Sequence, residues 1–320
     1  MRVLVTGATG FVGRHVVAEL GSADCTVIRH GDPATASPED GPCHYLDLRD
    51  AEALGVMVAD IQPDACIHLA GIAFIPDADS HPEYAFEVNT LGTIGLLQAC
   101  RTHAPTARIL AVSSAQVYGH PDLDRPIRED DPLRPYNLYS VSKTAADQAA
   151  LLFAEQFGLH VMTARPCNHV GPGQSPRFAT SSFSRQLLEI SRGDCEPVIR
   201  VGNLASRRDF LDVRDVARAY RLLLESGRPG RAYNIGSGKL VRIESVLDEL
   251  CRQVGVSPER HVDPALFRPT DDSIILDTRR IRDDTGWTPS IPLHTTLRDI
   301  LKDVRIRPHT SEPRMLRKDV

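Results

Sequence analysis

The sequence has no apolar run approaching the ~18 to 20 residues that a membrane-crossing helix requires, so no transmembrane span is expected. Positive charge is not in excess. Lys and Arg number 37 against 42 Asp and Glu, for a net charge of -5, the wrong sign for a general binder of nucleic acid or anionic membrane. A polyanionic small molecule is still admissible, because a local basic pocket can sit inside an acidic whole. The cysteines Cys25, Cys43, Cys66, Cys100, Cys167, Cys195 and Cys251 are odd in number and never spaced C-x-x-C. They read as buried thiols of a reducing compartment, implying neither a zinc site nor a disulfide framework. The opening Met1-Arg2-Val3-Leu4-Val5-Thr6-Gly7 carries too short an apolar run for a secretory leader. A cytoplasmic, soluble protein is therefore expected.

What is present suits a globular enzyme-sized chain. With 42% hydrophobic, 25% charged and 5% aromatic residues over 320 positions, a core can form without metals or disulfides, in one large or two unequal lobes. Short runs rich in β-branched residues recur at Val3 to Thr6, Thr26 to Ile28, Ala65 to Leu69, Ile109 to Ser113 and Val161 to Ala164. Amphipathic stretches separate them, at Phe11 to Leu20, Tyr84 to Cys100 and Leu138 to Phe157. This alternation predicts an α/β fold with a doubly wound parallel sheet. After Pro166 the texture is turn-rich, with a helix at Ser181 to Ser191, strands near Val198 and Arg208, a helix at Val213 to Leu224 and a strand at Tyr233 to Ile235. A dinucleotide-binding domain over 1–166, a smaller mixed α/β substrate-binding lobe mainly over 167–304 with interleaved segments, and a mobile tail over 305–320 are expected. Trp287 reads as core packing in the small lobe, and Gly92 and Gly95 as sites of close helix approach.

Gly7-Ala8-Thr9-Gly10-Phe11-Val12-Gly13 lies between the first strand and the first helix. Glycines there allow a tight turn and bring backbone N–H groups to a pyrophosphate, while the helix N-terminus favours the anion. The spacing G-x-x-G-x-x-G departs from the G-x-G-x-x-G fingerprint, and its position after a strand and before a helix carries the reading. Selection of the cofactor's 2′ group falls to the end of the second strand, where an NAD site places a carboxylate. Here Arg29 and His30 follow Ile28, and the first carboxylate is Asp32. NADP(H) is favoured, through Arg29, with NAD(H) left open. Asp47, at the end of a third strand in Tyr45-Leu46-Asp47-Leu48, is a candidate for the adenine amino group. Leu48, Leu69, Ala70 and Gly71 complete the expected cofactor contacts.

Tyr139-Ser140-Val141-Ser142-Lys143 places a phenol and an ammonium at i and i+4, on one helix face. The ammonium is expected to pull the phenol's pKa below its usual ~10 and make it a proton donor and acceptor. Upstream, Ser113-Ser114-Ala115-Gln116-Val117-Tyr118-Gly119 leaves the carboxyl end of a strand, where open α/β sheets bind ligands.

Together these elements resemble the extended short-chain dehydrogenases/reductases that act on nucleotide sugars, over nearly all of the chain except the tail. The resemblance implies a triad of Ser114 binding the sugar oxygen, Tyr139 transferring the proton, and Lys143 stabilising phenolate and contacting the nicotinamide ribose. Within that family, Ala164-Arg165-Pro166-Cys167-Asn168-His169-Val170-Gly171-Pro172-Gly173-Gln174, and Val201-Gly202-Asn203-Leu204 with the run from Arg208 to Asp215, resemble the GDP-4-dehydro-6-deoxy-mannose reductases. Cys167 stands where that group usually has Phe. The same resemblance implies substrate contacts from Asn168, Arg208, Arg268 and Asp271, more weakly from Arg185, and a homodimer. Guanidinium forks and amides suit a diphosphate. His169 reads as ordering its loop.

Sugar 4,6-dehydratases of this family carry an acid just after the triad hydroxyl, whereas Ala115 and Gln116 stand here and neither transfers a proton. The reading is an NADPH-dependent reduction of the C4 ketone of a nucleotide-linked 4-keto-6-deoxyhexose. An NAD-retaining 4-epimerase of UDP-hexoses remains the alternative, because Ser-Ala also occurs there in epimerases. A dehydratase and a non-catalytic dinucleotide-sensing protein rank below it. No nucleic acid, membrane or metal partner is expected.

Overall fold

A computed structural model describes residues 1–37, 41–121, 123–267 and 274–306. The chain divides into two units. The first comprises Met1–Cys167, Val213–Gly238 and Ile274–Pro289, and the described part of the second covers Asn168–Asp212, 239–267 and 290–306.

The first unit runs β1 (Arg2–Thr6), α1 (Phe11–Ser22), β2 (Thr26–Gly31), β3 (His44–Tyr45), α2 (Ala51–Ile61), β4 (Ala65–His68), α3 (Ile75–Ser80), α4 (Pro82–Phe86), a π-helical turn (Glu87–Leu91), α5 (Gly92–His103), β5 (Arg108–Val112), α6 (Leu138–Phe157) and β6 (Val161–Pro166). The second unit then contributes β7 (Asn168–Val170), α7 (Ala179–Arg192), β8 (Val198–Val201) and β9 (Arg207–Asp212). The chain returns to the first unit for α8 (Val213–Ser226) and β10 (Ala232–Ile235). It continues in the second with β11 (Leu240–Arg242), α9 (Ile243–Val254) and β12 (Glu259–Val262). Helix α10 (Arg279–Thr285) belongs to the first unit and α11 (Leu293–Ile306) to the second.

Seven parallel strands form the main sheet in the order β10-β6-β5-β4-β1-β2-β3. Val3, Leu4, Val5, Cys66, Ile67, Ile109 and Leu110 have no exposed surface, as strands covered by helices on both faces require. The order reverses between β1 and β4, which marks the crevice where such sheets bind ligands. Helix α6 starts cleanly because the Asn137 side chain accepts from Ser140 N at 2.7 Å while Ser140 Oγ returns a bond to the cap backbone, a reciprocal cap that satisfies two orphan N–H groups. It ends at Gly158 in the left-handed region.

In the second unit β9 lies between β11 and β7, and β8 pairs with β12. Phe183, Leu187, Ile199, Val201, Leu250 and Ile300 form its core.

Several sequence expectations need correction. The helix at 213–226 and the strand at 232–235, read with the small lobe, belong to the first unit, because β10 pairs in parallel with β6 and so extends the main sheet. Trp287 is buried as expected, but in that same first unit, where its indole N–H donates to Asp215 O at 2.9 Å. The amphipathic stretch from Tyr84 is interrupted by the π-helical turn, in which Gly92 N bonds back to Glu87 O. Cys66, Cys100 and Cys167 are buried, but Cys195 is exposed. Helix α11 extends through Arg305 and Ile306, and the rest of the expected tail lies outside the described residues. Among the described residues no helix is long and apolar enough to cross a membrane.

Candidate active site

The glycine cradle follows β1 directly. Gly7 has φ +70°, and a Cβ there would lie 2.8 Å from Ala70 N; a Cβ on Gly13 would lie 2.0 Å from Gly7 O. Only glycine fits either place, so the turn after β1 can press against both the loop after β4 and the first turn of α1. Gly10 is the N-cap of α1, with no side-chain cap bond and no acidic residue in the first turn. Its leading N–H groups and the helix dipole therefore favour an anion. Thr9, Phe11 and Val12 are half-buried around this turn. Both the tight turn that only glycine allows and the uncapped helix start fit the pyrophosphate of a dinucleotide.

Strand β2 extends to Gly31, three residues beyond Ile28, so Arg29 lies inside the strand with its guanidinium beside Gly41. Asp32 follows the strand at once, and its carboxylate accepts from Ala34 N at 2.8 Å to cap a short 3-10 turn. The third strand stops at Tyr45, two residues before Asp47, because β3 pairs with β2 at only two positions on the sheet edge. Asp47 is clamped by Arg49 through contacts of 2.7 to 3.1 Å, which hold its carboxyl below the usual range. Leu48 is buried nearby, and Leu69 and Ala70 are half-buried while Gly71 is exposed.

Ser114 ends the extended segment after β5, accepting from Gln116 N at 3.2 Å. Its hydroxyl lies near enough to the phenol of Tyr139 to favour the phenolate. Tyr139, Lys143 and Asp147 occur at i, i+4 and i+8 on α6, and all three are buried. Lys143 Nζ donates to Val112 O at 2.5 Å, which ties the helix to the end of β5. Burial pushes the ammonium down to about 8, against the pull of Asp147. Burial also raises the Tyr139 phenol, and the nearby Ser114 hydroxyl works in the opposite direction. The expected depression of the phenol is thus reversed in direction: burial of a group that must become an anion outweighs the nearby hydroxyl. Gln116 Oε1 accepts from Asn137 Nδ2 at 3.4 Å and from Tyr136 OH at 3.5 Å. Ala115 lies in the same short turn.

Behind this site sits a buried ion pair that sequence reasoning missed. Arg165 grips Asp147 at 2.6 and 3.1 Å and also donates to Tyr118 OH at 2.8 Å and Glu129 O at 2.9 Å. Also missed were Thr6, His68, Asn89 and Thr93, all buried polar side chains. The one available signal was polar residues standing in apolar surroundings, such as His68 at the end of Ala65 to Leu69.

In the second unit, Asn168 opens β7 and Arg208 lies in β9, the strand beside it. The Arg208 guanidinium donates to Arg207 O at 2.9 Å. Arg185 is an exposed residue of α7 facing Glu189 at 3.7 Å. Gln174 donates to His169 O at 3.1 Å. Arg268 and Asp271 lie outside the described residues.

Known proteins share this architecture over the whole length. A GDP-6-deoxy-D-mannose reductase of Pseudomonas aeruginosa is 37% identical over 94% of this chain and 96% of its own. A solved structure of RMD from Pseudomonas aeruginosa in complex with NADPH superposes with a TM-score of 0.85 at 35% identity, covering 96% of this chain and 99% of that one. A UDP-glucose 4-epimerase of Corynebacterium glutamicum is 29% identical over 95% of this chain and 94% of its own. The family model described as GDP-mannose 4,6 dehydratase matches residues 4–300, and the chain belongs to that family of extended short-chain dehydrogenases/reductases.

Proposed function

We propose that this enzyme catalyses the NADPH-dependent reduction of the C4 ketone of a nucleotide-linked 4-keto-6-deoxyhexose, converting GDP-4-dehydro-6-deoxy-D-mannose to GDP-D-rhamnose. The observation that carries the reading is Tyr139 and Lys143 buried one helical turn apart on α6, with Lys143 tied to the end of β5 two residues before Ser114, at the crevice end of a sheet whose first turn is closed by Gly7 and Gly13. Identity to the Pseudomonas aeruginosa reductase supports the choice of sugar.

NADPH, when bound, supplies the hydride to C4. Gly7, Thr9, Gly10, Phe11, Val12 and Gly13 would hold its pyrophosphate, and Arg29 its 2′-phosphate. Ser114 donates to the ketone oxygen, and Tyr139 gives that oxygen its proton as the alcohol forms. Lys143 shares a helix face with Tyr139, so its positive charge stabilises the phenolate left behind. Ala115 and Gln116 offer no proton, which disfavours the dehydration that the family description names. In this reading the first unit binds the dinucleotide, and the second supplies Asn168 and Arg208, with Arg185, Arg268 and Asp271 as further candidates, to the nucleotide diphosphate.

A homodimer is part of the proposal. Leu91 beside α5, and Leu138, Val141, Leu152 and Phe157 on α6, are large exposed apolar residues, as expected of helices that pair with another copy. Cytoplasmic location fits the seven free thiols.

The second reading, an NAD-retaining 4-epimerase, is favoured by Ser114-Ala115 and by the 29% identical epimerase. Incubation with UDP-hexoses without added cofactor, beside incubation with NADPH and the GDP-keto sugar, separates the two. Stoichiometric NADPH oxidation in the second mixture supports reduction; interconversion of C4 epimers in the first, with nothing consumed, refutes it.

A further inference from the structure

Thr6 is the last residue of β1 before the glycine cradle, and His68 ends β4 directly beside it. Both are buried. Thr6 Oγ1 lies 2.7 Å from His68 Nδ1 and also receives the N–H of Ala70 at 3.3 Å. On the opposite edge of the ring, His68 Nε2 lies 3.0 Å from Thr93 Oγ1, which in turn is 2.6 Å from Asn89 O.

These contacts determine where the protons sit. A backbone carbonyl only accepts, so the single proton of Thr93 points to Asn89 O. Thr93 must then accept from His68 Nε2–H. A neutral imidazole has one donor and one acceptor, so Nδ1 accepts from Thr6. The result is one directed chain from Ala70 N–H to Asn89 O, with His68 neutral at its centre. Burial and the charge of Lys143 oppose protonation of the ring, holding its pKa down near 3.

Asn89 carries the chain onward to the catalytic helix. Its Oδ1 accepts from Ile72 N at 2.8 Å, while its Nδ2 donates to Ile72 O at 3.2 Å and to Ser142 Oγ at 3.0 Å. Ser142 Oγ donates to Tyr139 O at 2.8 Å. A Cβ on Gly71 would stand 2.7 Å from Asn89 Oδ1 and 3.9 Å from Lys143 Nζ, so this chain borders the ammonium. Asn89 can do this because the π-helical turn inserts an extra residue where α4 meets α5, a distortion often found at functional sites.

We propose that His68 is a positioning residue with two separable duties. Its Nδ1 edge sets the floor of the dinucleotide cradle through Thr6 and Ala70. Its Nε2 edge sets the register of α6, and with it Tyr139 and Lys143, through Thr93 and Asn89. The inference rests on the reductase reading for its activity readout only.

The test splits the ring. His68→Asn keeps an acceptor near Nδ1 and removes the donor to Thr93; His68→Gln keeps a donor near Nε2 and removes the acceptor for Thr6. Thr93→Val and Thr6→Val make the same separation with less change of shape. His68→Asn and Thr93→Val are expected to lower kcat about tenfold, as loss of one aligned hydrogen bond implies, with the NADPH dissociation constant within about twofold of the parent. His68→Gln and Thr6→Val are expected to do the reverse. Equal losses of kcat and NADPH affinity in all four variants, in proportion to lost Tm, would reduce His68 to core packing and overturn the proposal. The 15N spectrum of the unsubstituted protein is a second test: it should show the neutral Nε2–H tautomer, and an Nδ1–H or doubly protonated ring would contradict the chain. If the protein fails to reduce the keto sugar, the reductase reading falls while the NADPH-binding split and the tautomer still judge the role of His68.

Discussion

Lys143 Nζ donates to the carbonyl of Val112 at 2.5 Å, so the ammonium of α6 is held by the last residue of β5. Sheet and helix thus share one anchor, next to the serine and tyrosine that would act on the ketone. Burial sets the energetic terms for this lysine. In the folded chain its pKa falls to about 8 from an ordinary 10.5, so between those values the unfolded chain binds a proton that the folded one does not. Stability should therefore rise with pH across that window, by ~3 kcal/mol from this group, and the penalty should be fully present below about 8. Urea unfolding of the cofactor-free protein and of Lys143→Met at several pH values checks this; the variant should lack that rise. Identical pH profiles would contradict the account.

Tyr139→Phe removes the proton donor and leaves the ring. Turnover should fall by about 100-fold to 10,000-fold, the range for loss of general acid catalysis, while NADPH affinity changes little. Steady-state rates and fluorescence titration together decide; near-normal turnover would remove Tyr139 from its role.

The cradle makes a prediction about space alone. Gly13→Ala would drive a methyl to 2.0 Å from Gly7 O, and should lose both thermal stability and NADPH binding. Gly21, in the last turn of α1, has nothing within 4 Å of a built Cβ. Gly21→Ala should accordingly stabilise by ~0.5 to 1 kcal/mol, from helix propensity. Equal Tm values for the two variants would show that the turn is not tightly packed.

Much of this architecture was legible in the sequence, for reasons of periodicity. β1 and α6 carry uninterrupted local signals, the apolar run Val3 to Thr6 and the amphipathic stretch Leu138 to Phe157, and both formed where they were read. The end of β2 was not legible, because it is set by pairing at a distance: Arg29 and His30 pair with Val5 and Thr6 of β1, and Gly31 with Tyr45, 14 positions later in the chain. Nor could a local pattern say which unit would take β10 and Trp287, since that depends on pairing with β6 and on a carbonyl 72 residues away. The chain through His68 links partners 62 and 25 positions apart, and each of its members alone looks like an ordinary buried polar residue.

The ion pair between Arg165 and Asp147 is buried on both sides. Arg165→Met leaves the carboxylate unpaired in the core and should destabilise the chain by ~3 to 5 kcal/mol. Combining it with Asp147→Leu should restore part of that loss, because the stranded carboxylate is then gone, and only part, because the buried Lys143 loses the pull of Asp147. Chemical denaturation of the single and double variants measures the difference, and a double variant less stable than the single would refute the argument.

Arg29 is assigned to the 2′-phosphate that distinguishes NADPH from NADH. Arg29→Ala should weaken NADPH by about tenfold or more, since a charge-assisted contact is worth ~1.5 to 3 kcal/mol, with NADH affected little. Equal losses for the two cofactors, measured by titration, would oppose the assignment.

Reduction of the sugar ketone by NADPH would leave an isotopic record at C4. NADPH deuterated at its transferable position, mixed with GDP-4-dehydro-6-deoxy-D-mannose and the purified protein, tests it most directly. The account predicts one deuterium at C4 of the sugar for each NADP+ formed. A product without deuterium at C4, or keto sugar consumed with no NADP+ formed, would contradict it.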